Sequence, residues 1–161
     1  LSLEDAIQYG VTGPAGRASG FSCDVRKIEP YGVYGKVSFE EILRTEGDTM
    51  ARYRVRIAEM YESMKILEQL VDNTPEGDYT AKMKAVVRLP AGEFFQRVET
   101  ARGELDVYIV SDGNKSPYRI KFRTPNFSNL FVISKLALGY KIADLVAISG
   151  SLDLVIPDID R

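Results

Sequence analysis

Residues 104–123 read ELDVYIVSDGNKSPYRIKFR. From Glu104 to Val110 the side chains alternate, with Leu105, Val107 and Ile109 on one side and Asp106 and Tyr108 on the other. Ser111 to Pro117 is a run of turn formers, and Tyr118 to Arg123 resumes an extended pattern. A period of two on both sides of a turn predicts an antiparallel β-hairpin. Pro125 blocks its extension, because proline has no N–H to give to a ladder.

Outward from the hairpin the period changes. Downstream, Phe127 to Leu138 and Ile142 to Ile148 read as two apolar helical segments parted near Gly139. Just upstream, Gly92 to Thr100 reads as a short helix after Pro90. Farther upstream, Met50, Tyr53, Ile57, Met60, Tyr61, Met64, Leu67 and Val71 recur at spacings of three and four. That spacing predicts a long helix with one apolar face, opened by a cap within Glu46-Gly47-Asp48 and closed before Pro75. Its opposite face carries Arg52, Arg56, Glu59, Glu62 and Glu68, which are expected in solvent, or paired if a neighbouring protein lies over them. Helix, hairpin, helix gives an α+β fold, mainly helical with a small antiparallel hairpin or sheet.

The 161 residues, 45% of them hydrophobic, suffice for one substantial core and are too few for two, so residues 1–161 are read as one domain. The opening Leu1 to Ile7 reads as the end of a helix already under way, with more chain expected upstream. A net charge of -2 provides no cationic field for a nucleic-acid backbone. The chain has no His and a single cysteine, Cys23, which excludes a Ser-His-Asp triad, a His-based zinc site and an internal disulfide. Cys23 reads as an incidental thiol rather than a redox centre. The apolar stretch from Leu130 to Pro157 is interrupted by Lys135, Lys141, Asp144 and Asp153, too often for a spanning helix. No basic start followed by an apolar run marks Leu1 to Gly20 as a secretory signal.

Two stretches invite a functional reading. Gly10 to Gly35 is rich in Gly and Pro and reads as irregular chain, longer than a connector needs to be. Its glycines fit neither a phosphate-loop nor a dinucleotide pattern, so they are expected to serve positive φ or close packing. Within it, Asp24-Val-Arg26-Lys27 places opposite charges in one segment, where Arg26 either pairs with a carboxylate from elsewhere or takes part in ordinary surface pairing. The tail from Ile148 to Arg161 is apolar yet carries acids and a terminal Arg. Leu152, Leu154, Val155 and Ile156 call for burial, which draws Asp153 and Arg161 into partly dry positions that need partners. Chemistry alone leaves two accounts open, a structural ion-pair tail or a cavity wall.

A resemblance adds to this. Gly10-Val-Thr-Gly-Pro14, Arg17-Ala-Ser-Gly20, Asp24-Val-Arg-Lys27 with Pro30-Tyr31, Glu46-Gly-Asp48 with Arg52-Tyr53, Arg102-Gly-Glu104, Ser111-Asp-Gly113, Pro117-Tyr-Arg119, Arg123-Thr-Pro125 and Gly150-Ser-Leu-Asp153 ending in Asp160-Arg161 occur in that order. In order and spacing they resemble the large, hydrogenase-like subunit (the D subunit) of proton-pumping NADH:quinone oxidoreductase, respiratory complex I, from Gly10 to Arg161.

The resemblance implies a fold similar to the C-terminal half of the nickel-iron hydrogenase large subunit. Gly150-Ser-Leu-Asp153 stands where the hydrogenase pattern has cysteines, so no metal is expected here. In its place the family has a quinone cavity facing the subunit that carries the terminal iron-sulfur cluster. By analogy Asp153, Val155 and Arg161 belong to that wall, with Gly13, Pro14, Arg17 and Gly20 in a structural loop. Quinone is the implied substrate, while NADH, FMN and the clusters belong to other subunits. The headgroup-contacting His and Tyr of the family lie in an N-terminal half, so this stretch is expected to be inactive alone. Pro157 stands where many relatives have Gly. The implied partners are the cluster subunit and the membrane arm, on the cytoplasmic side of the cell membrane. Two alternatives stay open: a related complex using reduced coenzyme F420 or ferredoxin as donor, and a scaffold that contributes nothing to the cavity.

Overall fold

The computed structural model describes residues 1–83 and 85–160. A first helix, α1 (Leu3–Gln8), starts on its own cap, since the Ser2 hydroxyl accepts from the Asp5 N–H. It is not the continuation of an earlier turn, contrary to the expectation for Leu1 to Ile7. The Gly10 to Gly35 stretch is not irregular throughout. It holds two short helices, α2 (Gly13–Arg17) and α3 (Val25–Ile28), and a single 3-10 turn at Tyr34–Lys36. Every residue of α2 is buried.

The long helix, α4 (Thr49–Val71), begins where the cap was expected, with the Asp48 carboxylate accepting from the Ala51 N–H at 2.6 Å. Its orientation is the reverse of the expectation. Met50, Tyr53, Ile57, Met60, Tyr61, Met64, Leu67 and Val71 are all exposed, whereas the inward side is Ala51, Arg52, Val55, Glu62 and Ile66. Arg52 and Glu62 keep only 2% and 7% exposure, so of the polar face only Glu68 is left in open solvent. Each buried charge has partners that justify its position. Arg52 donates to the Gly47 carbonyl and to the Ser151 hydroxyl, and Glu62 accepts from the Glu40 N–H and from Lys65.

Gly92–Thr100 is a strand, β1, not a short helix. It pairs over its whole length with β2 (Gly103–Ser111), which pairs in turn with β3 (Arg119–Arg123), giving a three-stranded antiparallel sheet in the order β1-β2-β3. Phe94, Phe95, Val98 and Thr100 favour extended chain, and a full ladder with β2 outweighs any helical tendency. The hairpin expected at 104–123 is the β2–β3 pair.

The sheet hands over to α5 (Pro125–Phe131), α6 (Ile133–Leu136), α7 (Ile142–Leu152) and α8 (Ile156–Ile159). The two apolar segments part around Gly139 as expected, and the first is itself broken at Val132. Ala6, Val11, Ala15, Val132 and Leu152 form the main core, and Ala18, Ala51 and Val55 a smaller one. The two cores meet at the end of α2, where Ala15 belongs to the first and Ala18, just past the helix, to the second.

Candidate functional site

The hollow that concerns function opens where α2, α4, the end of β1 and the end of α7 meet. It has a volume of about 400 Å³, and its lining includes Pro14, Arg17, Arg56, Glu59, Glu99 and Asp153. Asp153 and the glycine-rich loop, separated by most of the sequence, thus share one concave surface.

Arg17, the last residue of α2, has 2% side-chain exposure, and Glu99 of β1 has 4%. The Arg17 Nε sits 2.7 Å from Glu59 Oε1, and Nη1 sits 2.8 Å from Glu99 Oε1. Nη1 also donates to the Cys23 carbonyl. Burial works against the guanidinium charge, but the two carboxylates outweigh it and raise the Arg17 pKa. Glu99 also accepts from the Val25 N–H through its other oxygen. Burial pushes the Glu99 pKa above the ordinary glutamate range, and Arg17 offsets this only in part.

Beside this pair lies Asp24, the cap of α3. The carboxylate that Arg26 finds is Asp24, two residues away in the same segment, and not one from elsewhere. Arg26 Nε and Nη2 reach the two Asp24 oxygens at 2.9 and 2.6 Å, a two-toothed contact. The Phe39 ring lies 4.9 Å from the guanidinium carbon and fixes it from one side. Burial opposes ionisation of Asp24, but the Arg26 bonds prevail and hold its carboxyl below the usual range.

At the far rim, α7 ends on Asp153. This is the one non-glycine residue with a positive φ among the described residues, at φ 55 and ψ 51. Its N–H closes the last turn onto the Gly150 carbonyl. Two arginines one turn apart on α4 grip that turn: Arg56 donates to the Ser151 carbonyl, and Arg52 Nε to the Ser151 hydroxyl at 2.9 Å. Burial lowers the pKa of both. The Asp153 carboxylate faces Arg102, with Nε 3.1 Å from Oδ2.

The remaining sequence-derived positions divide. Gly13 lies at φ +68 against the β1–β2 turn, where an added Cβ would come 2.3 Å from the Arg102 carbonyl oxygen. Only glycine permits that approach, so close packing is the role of this loop glycine. Gly20 also has positive φ, at +85, and Pro14 opens α2 at its first turn. Val155 does not share the hollow of Asp153. It lines a neighbouring one of about 300 Å³ with Leu105, Pro125, Asn126 and Arg102, and its N–H donates to Asn126 Oδ1. Leu152 is fully buried, Leu154 and Val155 half-buried, and Ile156 exposed, so the tail is less covered than its apolarity predicted. Arg161 lies outside the described residues.

Sequence reasoning passed over Arg56, Glu59, Glu99 and Arg102 as site residues. Arg56 and Glu59 were visible at a spacing of three on α4, though placed on a face expected in water. Glu99 was hidden by the helix expected at Gly92 to Thr100. Cys23 is no reactive centre: burial and the nearby Glu104 carboxylate push its thiol pKa up to about 11.

Comparison with known proteins bears on what this arrangement is. A family profile described as "Respiratory-chain NADH dehydrogenase, 49 Kd subunit" matches residues 1–88 and 81–161. The chain is 55% identical over 161 residues to the C/D subunit of NADH-quinone oxidoreductase from Phocaeicola vulgatus, covering all of this chain and 31% of that protein. It is likewise 55% identical to the protein of the same name in Bacteroides thetaiotaomicron, of which it covers 30%. It is 46% identical over 162 residues to the D subunit of NADH-quinone oxidoreductase from Desulfotalea psychrophila, covering 44% of that protein. The chain thus spans less than half the length of that D subunit and less than a third of the C/D proteins. With the profile met from the first residue to the last, the chain belongs to the family of the 49 kDa subunit of respiratory-chain NADH dehydrogenase.

Proposed function

We propose that the chain forms a C-terminal domain of the large subunit of a proton-pumping NADH:quinone oxidoreductase and provides one wall of its quinone cavity. The observation that carries the reading is the convergence of Asp153 with Pro14 and Arg17 on one hollow. Such a hollow, lined by a few convergent polar groups with perturbed proton affinities, is where a small-molecule site is expected. Quinone is the substrate in this reading. Val155 belongs to an adjoining apolar wall, and Arg161 stands at the boundary with the subunit that holds the terminal iron-sulfur cluster. NADH, FMN and the clusters sit in other subunits, and the fold descends from that of the hydrogenase large subunit.

Among the described residues no helix is long and apolar enough to cross a membrane. Attachment to the membrane arm, on the cytoplasmic side, then runs through contacts with other subunits. The deciding experiment is Asp153→Asn in the intact complex. Altered quinone reduction with normal assembly supports the cavity wall, whereas unaltered reduction excludes it.

A scaffold reading is favoured by a different feature, the exposed apolar side of α4. It predicts that polar substitutions at Met64 or Leu67 reduce assembly while Asp153→Asn changes nothing.

A further inference from the structure

We propose that Arg102, in the turn between β1 and β2, is a positioning residue that holds the Asp153 carboxylate at the rim of the hollow. The proposal rests on the reading of Asp153 as part of the quinone wall and goes beyond it, because Arg102 lines the neighbouring hollow and not the one that Asp153 lines.

The contact bridges side chain and backbone. Arg102 Nε lies 3.1 Å from Asp153 Oδ2, Nη2 lies 3.4 Å from Oδ1, and Nε also lies 3.4 Å from the Asp153 carbonyl oxygen. One guanidinium therefore touches both the carboxylate and the backbone of a residue in the left-handed region. Non-glycine residues in that region are held there by their surroundings. The grip of Arg56 and Arg52 on Ser151 fixes the turn before Asp153, but neither reaches its carboxylate within hydrogen-bonding distance. Among the described residues, Arg102 is the group that does.

Arg102 is itself set from behind. Its carbonyl lies against Gly13 too closely for any side chain there, and Asn129 Nδ2 points at the same oxygen from 3.4 Å. The glycine-rich loop thereby acts on Asp153 at one remove: Gly13 sets the turn, the turn sets Arg102, and Arg102 sets the carboxylate.

The two side chains keep 35% and 45% exposure, so water screens their attraction and the pair adds little to stability. The geometry is specific while the energy is small, a combination that suits orientation better than support.

The test is steady-state quinone reduction by the intact, assembled complex carrying Arg102→Gln, Asp153→Asn or both. Arg102→Gln is expected to raise the quinone KM by about tenfold with kcat little changed, the signature of binding lost equally from ground state and transition state. The double variant is expected to be little worse than Asp153→Asn alone, because Arg102 acts through Asp153, mainly by its carboxylate and in lesser part by its carbonyl oxygen. An unchanged KM in Arg102→Gln beside a raised one in Asp153→Asn overturns the proposal and leaves the cavity wall standing. Additive effects in the double variant also overturn it. An unchanged Asp153→Asn complex overturns the cavity wall itself. Should Arg102→Gln fail to assemble, Arg102→Lys replaces it, keeping the charge but losing the simultaneous contact with carboxylate and carbonyl. Its expected KM rise of about threefold must vanish in the Asp153→Asn background, and persistence there counts against the proposal.

Discussion

Arg17 and Glu99, which lie 82 residues apart in sequence, meet at 2.8 Å in a place that water barely reaches. The pair joins the end of α2 to the end of β1, and Glu59 ties α4 to the same guanidinium. Three elements therefore converge on one positive charge.

Removing that charge leaves two carboxylates facing each other without a counterion. Arg17→Ala is expected to cost about 3–5 kcal/mol, the range for breaking a buried ion pair from one side. Denaturant unfolding checks this, as a fall in midpoint with an unchanged slope. Loss of less than about 1 kcal/mol would mean that the network is not dry.

Glu99 and Asp24 pull the pH dependence in opposite directions. With its folded pKa raised, Glu99 binds its proton more readily in the folded chain. Its contribution is greatest below the ordinary glutamate value of about 4.3 and falls as pH rises toward the raised one. Asp24 has a depressed folded pKa, so its contribution is present above about 3.9 and is lost as pH falls through the depressed value. Glu99→Gln should therefore remove a decline in stability on going upward from about pH 4.3, and Asp24→Asn a decline at lower pH. Unfolding midpoints of both variants across pH 2–7 check the two signs, and parallel curves would contradict them.

Gly13→Ala is expected to be disproportionately harmful for one methyl group. The left-handed backbone costs about 1–3 kcal/mol with a side chain, and the new Cβ must also displace the Arg102 carbonyl. A matching loss should appear in unfolding. Gly139→Ala, with positive φ but nothing near its Cβ, should show the backbone cost alone.

Cys23 should be sluggish toward alkylating agents while the chain is folded. With a thiol pKa of about 11, roughly one molecule in a thousand is thiolate at pH 8. Iodoacetamide labelling is expected to run on the order of 200-fold slower than for an ordinary thiol of pKa about 8.5, and to recover on unfolding. Fast labelling of the folded chain would contradict the burial and the Glu104 contact.

Much of the fold was legible where the signal was local. The Asp48 cap, the length of α4 and the β2–β3 hairpin follow from residues within a few positions of one another. β1 escaped because its alternation places Glu93, Phe95, Arg97 and Glu99 on one face and Phe94, Gln96 and Val98 on the other, with apolar and polar residues on both. The inward face of α4 escaped for a different reason. Gly47 and Lys65 are local partners of Arg52 and Glu62, but Ser151 and Glu40, which complete their burial, lie 99 and 22 residues away and are not announced by the neighbouring sequence. Of the candidate site, the family pattern supplied Asp153 and the loop; the Arg102 and Glu99 contacts needed coordinates.

The reversal of α4 has a consequence for how the chain can be altered. In most proteins oily positions tolerate change least and charged ones most, and here that rule is inverted along one helix. Met50, Tyr53, Met60, Leu67 and their neighbours hold nothing together within the chain, so polar replacements there should improve its behaviour in dilute solution without loosening it. A single conservative change at Arg52, by contrast, strikes the interior.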